Sequence, residues 1–410
     1  MSPRFGAARA IIAIVATCLV APCVGARAQS AAPIVFTARG EDLLRTRTRL
    51  RAGDTALTTA YAALLDDARH ALAVPPLSVT QKHRLPESGD RHDYMSFAPY
   101  SWPDSTKPNG LPYINRDGMV NPESRVDSDR QPFGRMSEAV ETLALAYFLS
   151  DDEQYARHAA LLLKTWFLDS ATRMNPNLKY GQAIPGVTAG RGIGLIDTRS
   201  LAQVVDAVGL LRGSPSWTRA DDQGMRAWAR DFLNWMRTSR LGHDEETTKN
   251  NHGTWYNVQA ASLALFVGDS AEARAAVVRG RDLIGSQIQS DGREPEELRR
   301  TRSLSYSVFN VDAHTRLAEL ARFVGIDLWR YRSPSGGSLR AALLYLAPYT
   351  AEGTKWPGQQ ITPVDPREFL GSLRRADGPL ADATLRSAIG KVAPRIRSSD
   401  RSRLLYPDAP

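Results

Sequence analysis

From about residue 54 onward, apolar residues recur every three or four positions in one segment after another, and sustained period-two alternation is almost absent. That spacing lines apolar side chains along one helical face, so the chain is predicted to be all-α. Helices are expected over 54–72, 135–149, 152–168, 198–212, 218–238, 254–267, 270–288, 303–324, 338–347 and 380–393. Capping chemistry marks several starts, because a short oxygen-bearing side chain can accept from the orphan N–H groups of a first turn. The candidates are Ser137 with Glu141, Thr218 before Asp221 and Asp222, and Asp269 or Ser270 before Glu272.

A weak internal echo relates Leu143–Glu153 to Ser262–Glu272, each reading as helix, tight turn, helix, and Arg316–Asp327 is a third related segment. Antiparallel helix hairpins are therefore the expected building unit, as in solenoids and α/α toroids. Residues 83–134 and 170–197 break the pattern, combining Pro, Gly, Asn, Asp and aromatics without helical periodicity. Long loops of this kind in a compact domain tend to be functional. In the first of them Tyr94, Tyr100, Trp102 and Tyr113 offer flat apolar faces with polar tips suited to pyranose rings; the alternative is a strap packed over the core. Lys82, His83, Arg84 and Arg91 precede the aromatic segment, which suggests a lid over 82–95.

The beginning of the chain follows different rules. Arg4 and Arg9 precede a continuous apolar run, Ala10 to Ala21, and then the small-residue pattern Ala26-Arg27-Ala28. This reads as a signal peptide over 1–28, leaving a single domain over 29–410 in a periplasmic or secreted protein. Cys18 and Cys23, the 2 cysteines of the chain, both fall in that leader, so the mature domain would hold neither disulfide nor thiol nucleophile. No later stretch approaches the roughly 20 apolar residues of a spanning helix, so no membrane association is expected after signal removal. With 410 residues, 42% hydrophobic and 23% charged, the composition is that of an ordinary globular protein rather than a coiled coil or a disordered tail. The formal charge of +8 comes mostly from arginines scattered through predicted helices, which does not make a nucleic-acid stripe. In an exported protein, a mildly basic cleft fits an anionic polymer such as a polyuronate.

Several chemistries lack their residues. The 7 histidines show no metal-ligand spacing, so neither a metal nor another cofactor is expected. There is no phosphate-binding Gly-Lys-Ser/Thr loop and no Gly-x-Ser-x-Gly elbow, and Gly190-Arg191-Gly192-Ile193-Gly194 has no strand before it. The densest polar cluster is Lys249–Asn257, at a loop-to-helix junction, where Asn250, Asn251 and His252 can face one cleft. Asparagine amides and a histidine can hold a carboxylate and stabilise a developing enolate, or they can be an N-cap and a buried structural histidine. Further on, Glu296–Ser307 is an Arg-rich turn leading into a helix with Tyr306 near its start. A tyrosine beside arginines can have its pKa lowered and move a proton; alternatively the arginines pair with Glu294, Glu296 and Glu297.

Four segments together resemble the alginate lyase superfamily of polysaccharide lyases: Tyr94–Asp104, Met174–Tyr180, Asn250–Tyr256 and Glu297–Tyr306. The resemblance covers roughly residues 80–350 and implies an α/α toroid, an incomplete barrel of antiparallel helix hairpins. By motif position it implies Asn251, His252, Arg300 and Tyr306 as the catalytic set. Asn250, Tyr94, Tyr100, Trp102, Asn175, Asn177, Tyr180 and Arg299 are the expected sugar contacts. In the mannuronate-cleaving branch the arginine lies seven residues before the tyrosine and is followed by Gly. Here Arg300 lies six before Tyr306 and is followed by Thr301, while Arg299 has the sevenfold spacing. The shorter spacing is similar to a sister branch that includes glucuronan lyases. The implied activity is β-elimination on a 4-linked polyuronate, preferably mannuronate-containing alginate, without metal or organic cofactor. The rivals are a toroidal glycoside hydrolase, drawing two carboxylates from Asp93, Asp104, Asp197 and Glu297, and a non-catalytic polysaccharide-binding protein.

Overall fold

Burial sorts the helices into two kinds. The computed structural model describes residues 1–2, 31–350 and 354–409, so residues 3–28 of the expected leader, with Cys18 and Cys23, lie outside the described residues. The helices in chain order are α1 (Gly40–Arg51), α2 (Thr55–Ala71), α3 (Arg130–Ser150), α4 (Glu153–Leu163), α5 (Leu201–Leu211), α6 (Arg219–Thr238), α7 (Arg240–Glu246) and α8 (Asn251–Val267). They continue with α9 (Ser270–Gln287), α10 (Pro295–Leu298), α11 (Ser303–Ala321), α12 (Leu339–Leu346), α13 (Arg367–Leu380), α14 (Ala383–Lys391), α15 (Pro394–Ser399) and α16 (Ser402–Leu405). In α3, α5, α8 and α11 apolar and small residues are buried on nearly every side, and each packs on the next. The amphipathic helices α4, α6 and α9 cover them, with only one face buried. An inner layer of fully buried helices inside an outer layer of half-buried ones is the α/α toroid expected from the hairpin pattern. At the end of the chain α16 packs on α1, α2 and α13, tying the last helices to the first. Among the described residues no helix is long and apolar enough to cross a membrane.

The caps explain most helix starts. Asp152, Asn250 and Asp269 accept from N–H groups of α4, α8 and α9, and Thr218 with Asp221 forms a capping box on α6. Ser137 does not start a helix: α3 begins at Arg130 and buries Ser137 in its interior. The sequence also hides α13, because Gly371, Gly378 and Pro379 read as breakers although the helix runs through them. The expected 380–393 helix is α14, set off from α13 by Ala381 in the left-handed region and capped by Asp382.

Among the described residues the two irregular stretches carry the four short strands: β1 (Met95–Phe97), β2 (Ser101–Trp102), β3 (Ile114–Asn115) and β4 (Tyr180–Ala183). β1 pairs in parallel with β4, and β2 with β3 in an antiparallel hairpin. A 3₁₀ segment, Gly192–Thr198, follows β4 and packs on it and on α7. That packing needs glycine, since a Cβ on Gly194 would stand 2.5 Å from the Gly181 carbonyl oxygen. The expected lid over 82–95 is stapled down instead. Lys82 is buried, paired with Asp129 at 3.0 Å and bonded to the carbonyls of Val79 and Arg91.

Candidate active site

A cleft of about 800 Å³ opens where the irregular stretches meet the first turns of α8 and α11. Its walls combine Tyr100, Asn115 and Asp117 from the first stretch with Gln182 and Arg191 from the second and Arg199 just beyond it, ahead of α5. Arg130 of α3, Asn250 ahead of α8, Asn251 and His252 of α8, Arg299, Arg300, Arg302, Tyr306 and Phe309 around α11, and Glu368 of α13 also line it.

The helix α8 starts three residues earlier than its apolar pattern suggests, which puts Asn251 and His252 in its first turn. Asn250 is the N-cap, its side chain accepting from the His252 N–H at 3.0 Å. Asn251 is fixed by Glu297, which accepts its backbone N–H at 2.7 Å and its Nδ2 at 2.9 Å. His252 Nδ1 lies 2.9 Å from Glu245 Oε1. Glu245 is fully buried, and burial raises its pKa although His252 pulls the other way. A carboxylate acceptor assigns the proton to Nδ1 and leaves Nε2 as the free ring nitrogen. The motif pattern singled out Asn251 and His252 but not Glu245, which sits six positions before the asparagine in what reads as a polar turn.

On the facing side, the Arg300 guanidinium lies over the Tyr306 ring at 3.8 Å. Asp117 accepts from Arg300 Nε at 3.0 Å and from the Thr301 N–H at 3.0 Å. Thr301, where the mannuronate-cleaving branch has Gly, thus helps anchor Asp117 behind Arg300. Arg299 also borders the cleft but is 72% exposed and paired with Glu296 at 2.5 Å, so the sevenfold spacing belongs to the outer arginine. Tyr306 shares a 2.8 Å hydroxyl hydrogen bond with Tyr100. The expected lowering of the tyrosine pKa is not what the surroundings produce. Burial and the neighbouring Tyr100 raise it, and Arg300 only offsets part of that.

The cleft is cationic beyond the motif residues. Arg130, Arg191, Arg199 and Arg302 add four guanidinium groups to it, against Asp117 and Glu368 as its carboxylates. Burial, and then the charge of Arg130, lower the pKa of Arg199, a sign of like charges gathered in a shielded place. Nothing in the helical periodicity announced these arginines; their convergence depends on how the loops fold over the toroid.

Five expected sugar contacts lie elsewhere, and Tyr94 most clearly so. Tyr94 is buried in the core, edge-on to Phe133, with its hydroxyl 3.2 Å from Asp197. Trp102 is held outside the cleft lining by its Nε1 bond to the Met119 carbonyl and by Arg116 over its ring. Asn175 and Asn177 give their amides to Asp93, and Asn175 also to Asp90. Tyr180 lies on β4 outside the lining, and Tyr113 donates to Glu123 instead. Only Tyr100 of the aromatic set reaches the cleft. The carboxylates a hydrolase would need are equally committed. Asp93 receives Ser88 and both asparagines, while Asp197 receives Tyr94, Ser96 and Gln182 and pairs with Arg130 at 3.3 Å. Glu297 holds Asn251, and Asp104 caps its own turn through Thr106.

Residues 78–356 match the profile of the alginate lyase family. The crystal structure of an alginate lyase from Bacteroides ovatus is 38% identical with a TM-score of 0.85, over 91% of this chain and 99% of that one. Alginate lyase A1-III from Sphingomonas species A1 shares the fold at 18% identity and a TM-score of 0.58, over 90% of this chain and 95% of that one. A variant of that enzyme with a histidine changed to alanine, complexed with a tetrasaccharide, aligns with a TM-score of 0.59 at 18% identity, over 92% of this chain and 97% of that one. No curated protein matches.

Proposed function

The chain belongs to the alginate lyase family of polysaccharide lyases, and from that premise we propose that its cleft cleaves a 4-linked polyuronate, mannuronate-containing alginate first, by β-elimination. The observation that carries this reading is the convergence of Asn251, His252, Arg300 and Tyr306 on one cleft rich in arginine. Elimination needs three things: the C5 carboxylate neutralised, the C5 proton removed and the O4 leaving group protonated. Asn251, His252 and Arg300 hold the carboxylate and take up the charge that develops when the C5–H pair moves toward it as an enolate. That pair then closes the C4–C5 double bond while the C4–O4 bond breaks and O4 takes a proton. In mannuronate both groups leave from one face, and Tyr306 serves as base and then as acid. For a uronate of opposite C5 configuration, His252 Nε2 is the base and Tyr306 remains the acid. Glu245 accepts from Nδ1–H in either role: Nε2 is then the unprotonated base in the second, and carries a proton of its own when it holds the carboxylate in the first. The arginines around the site steer a polyanion into it and pair with carboxylates on the flanking sugars.

A second substrate, glucuronan, is favoured by one observation: the arginine stacked on the tyrosine is Arg300, whose six-residue spacing from Tyr306 resembles that of the branch that includes glucuronan lyases. Ultraviolet absorbance of the C4–C5 unsaturated product, followed with polymannuronate, polyguluronate, glucuronan and hyaluronan, tests both. A rise on one polymer that Tyr306→Phe and His252→Ala abolish supports the reading. Flat traces on all four remove it. Export to the periplasm or the medium is part of the same proposal, supported by Arg4, Arg9 and the apolar run after them; an N-terminus other than Gln29 or a neighbour of it in the exported protein counts against it.

A further inference from the structure

Away from the cleft, three arginines border a second cavity of about 510 Å³, lined by Ala56, Pro394, Arg395, Arg397, Ser398 and Arg403. None of these residues lines the catalytic cleft. Among the described residues, Arg395, Arg397 and Arg403 have no carboxylate within 4.0 Å. Acids on the same helices and chain end pair with other arginines: Asp400 with Arg374 at 3.0 Å, Asp54 with Arg49 at 2.7 Å, and Asp408 with Arg45 and Arg49 at 3.2 Å. Carbonyl oxygens hold two of the three forks in place. Arg403 donates to Ala56 at 3.0 Å and to Ala409 at 3.4 Å, and Arg397 to Gly390 at 3.2 Å. These carbonyls orient the groups without neutralising them. Burial, and then the charges of Arg49 and Arg397, lower the pKa of Arg403, so the like charges are close enough to be felt. Like charges gathered around a cavity repel until an anion enters it, and a guanidinium fork matches a carboxylate in two-point geometry.

We propose that this cavity is a second saccharide site, which takes a uronate carboxylate and holds one part of the polymer while the cleft works on another. The assignment rests on the reading of the chain as a polyuronate lyase, because that substrate carries one carboxylate per sugar. The volume falls within the roughly 300–1,000 Å³ of small-molecule pockets. A second hold on the same chain raises the local concentration of substrate at the cleft, which is worth most for long polymers.

The test uses Arg395→Gln with Arg397→Gln, leaving Arg403 and its backbone bonds intact. In a Tyr306→Phe background, where substrate is not consumed, calorimetric titration with tetramannuronate should count two sites per chain, and the double substitution should leave one. In the active chain, the double substitution should leave tetrasaccharide cleavage unchanged and raise KM for long polymer roughly ten-fold with kcat kept, the loss expected for two solvent-accessible ion pairs. An unchanged site count together with an unchanged polymer KM overturns the proposal. Inorganic sulfate is the second probe. If the substitution removes a sulfate site while the tetrasaccharide count stays at one throughout, the cavity holds small inorganic anions and the saccharide assignment falls. If the unsubstituted chain cleaves no uronate yet the double substitution still removes one tetrasaccharide site, the reading of the cleft fails and the cavity assignment stands.

Discussion

The first turns of α8 and α11 and the irregular segment around β1 and β2 were both expected to face the polymer, and they were used very differently. Asn251, His252 and Tyr306 sit in regular helix, with Arg300 just ahead of α11, and all four border the cleft. Tyr94, Asn175 and Asn177 come from irregular backbone and Trp102 from the two-residue strand β2, and their polar groups go to Asp197, the Met119 carbonyl, Asp90 and Asp93. A helix satisfies its own backbone after the cap, so side chains in its first turn are left for other work. An irregular segment leaves its N–H and C=O groups to be satisfied locally, and nearby amides and carboxylates do so. The lesson is that a polar residue in a long loop is first a candidate for holding that loop together.

That contrast can be broken by measurement. Tyr306→Phe should lower kcat by about 10³-fold or more with an unchanged Tm, as expected for loss of an acid–base group. If Trp102→Ala does the same damage and Tyr306→Phe does not, the division between the regions is wrong. Asp197→Ala removes the buried carboxylate on which Tyr94, Ser96, Gln182 and Arg130 converge. It should destabilise the fold by about 3 kcal/mol in denaturant titration, which would mark Asp197 as scaffold. Arg300→Lys keeps the charge but loses the planar fork, and should reduce kcat/KM about 100-fold.

The pH dependence sharpens the same point. Because burial raises the Tyr306 pKa above the ordinary value of about 10, its phenolate is a minor form at neutral pH. If the phenolate is the base on mannuronate, kcat/KM should climb with pH by up to about ten-fold per unit between roughly pH 7 and 9. Initial rates over that range check it, and a flat profile assigns the base elsewhere. The smallest effect is expected from Asn175→Ala, which removes one amide from Asp90 and Asp93. It should cost about 1 kcal/mol and leave kcat unchanged; a large fall in kcat would return Asn175 to the substrate side.

The inner and outer helices were legible because burial on one face or on all faces writes itself into apolar spacing, as in α6 against α8. The pair of helix starts carrying the motif residues was legible too, since Asn250 has the chemistry of a cap. Glu245 was not, because its partnership with His252 arises from α7 turning back on α8, and no spacing rule encodes that turn. The same holds for Arg130, Arg191 and Arg199, which are far apart in sequence and meet only after the loops fold. The lid failed for a related reason: Lys82 looks like a surface charge until Asp129 is found beside it.

The burial of α8 has a consequence for how such an enzyme could change over generations. Asn251 and Gly253 through Ala264 are all buried, and a Cβ on Gly253 would meet the Thr248 carbonyl oxygen at 2.1 Å. Almost any replacement there is paid for in folding, so selection for a new polymer has little room at the catalytic turn. The freedom lies across the cleft, on the β2–β3 hairpin at Ile114 and Asn115, which are exposed and stop short of the Asp117 that anchors Arg300. A library confined to that hairpin should yield altered polymer preference with the reaction kept, whereas one centred on α8 should yield mostly insoluble protein.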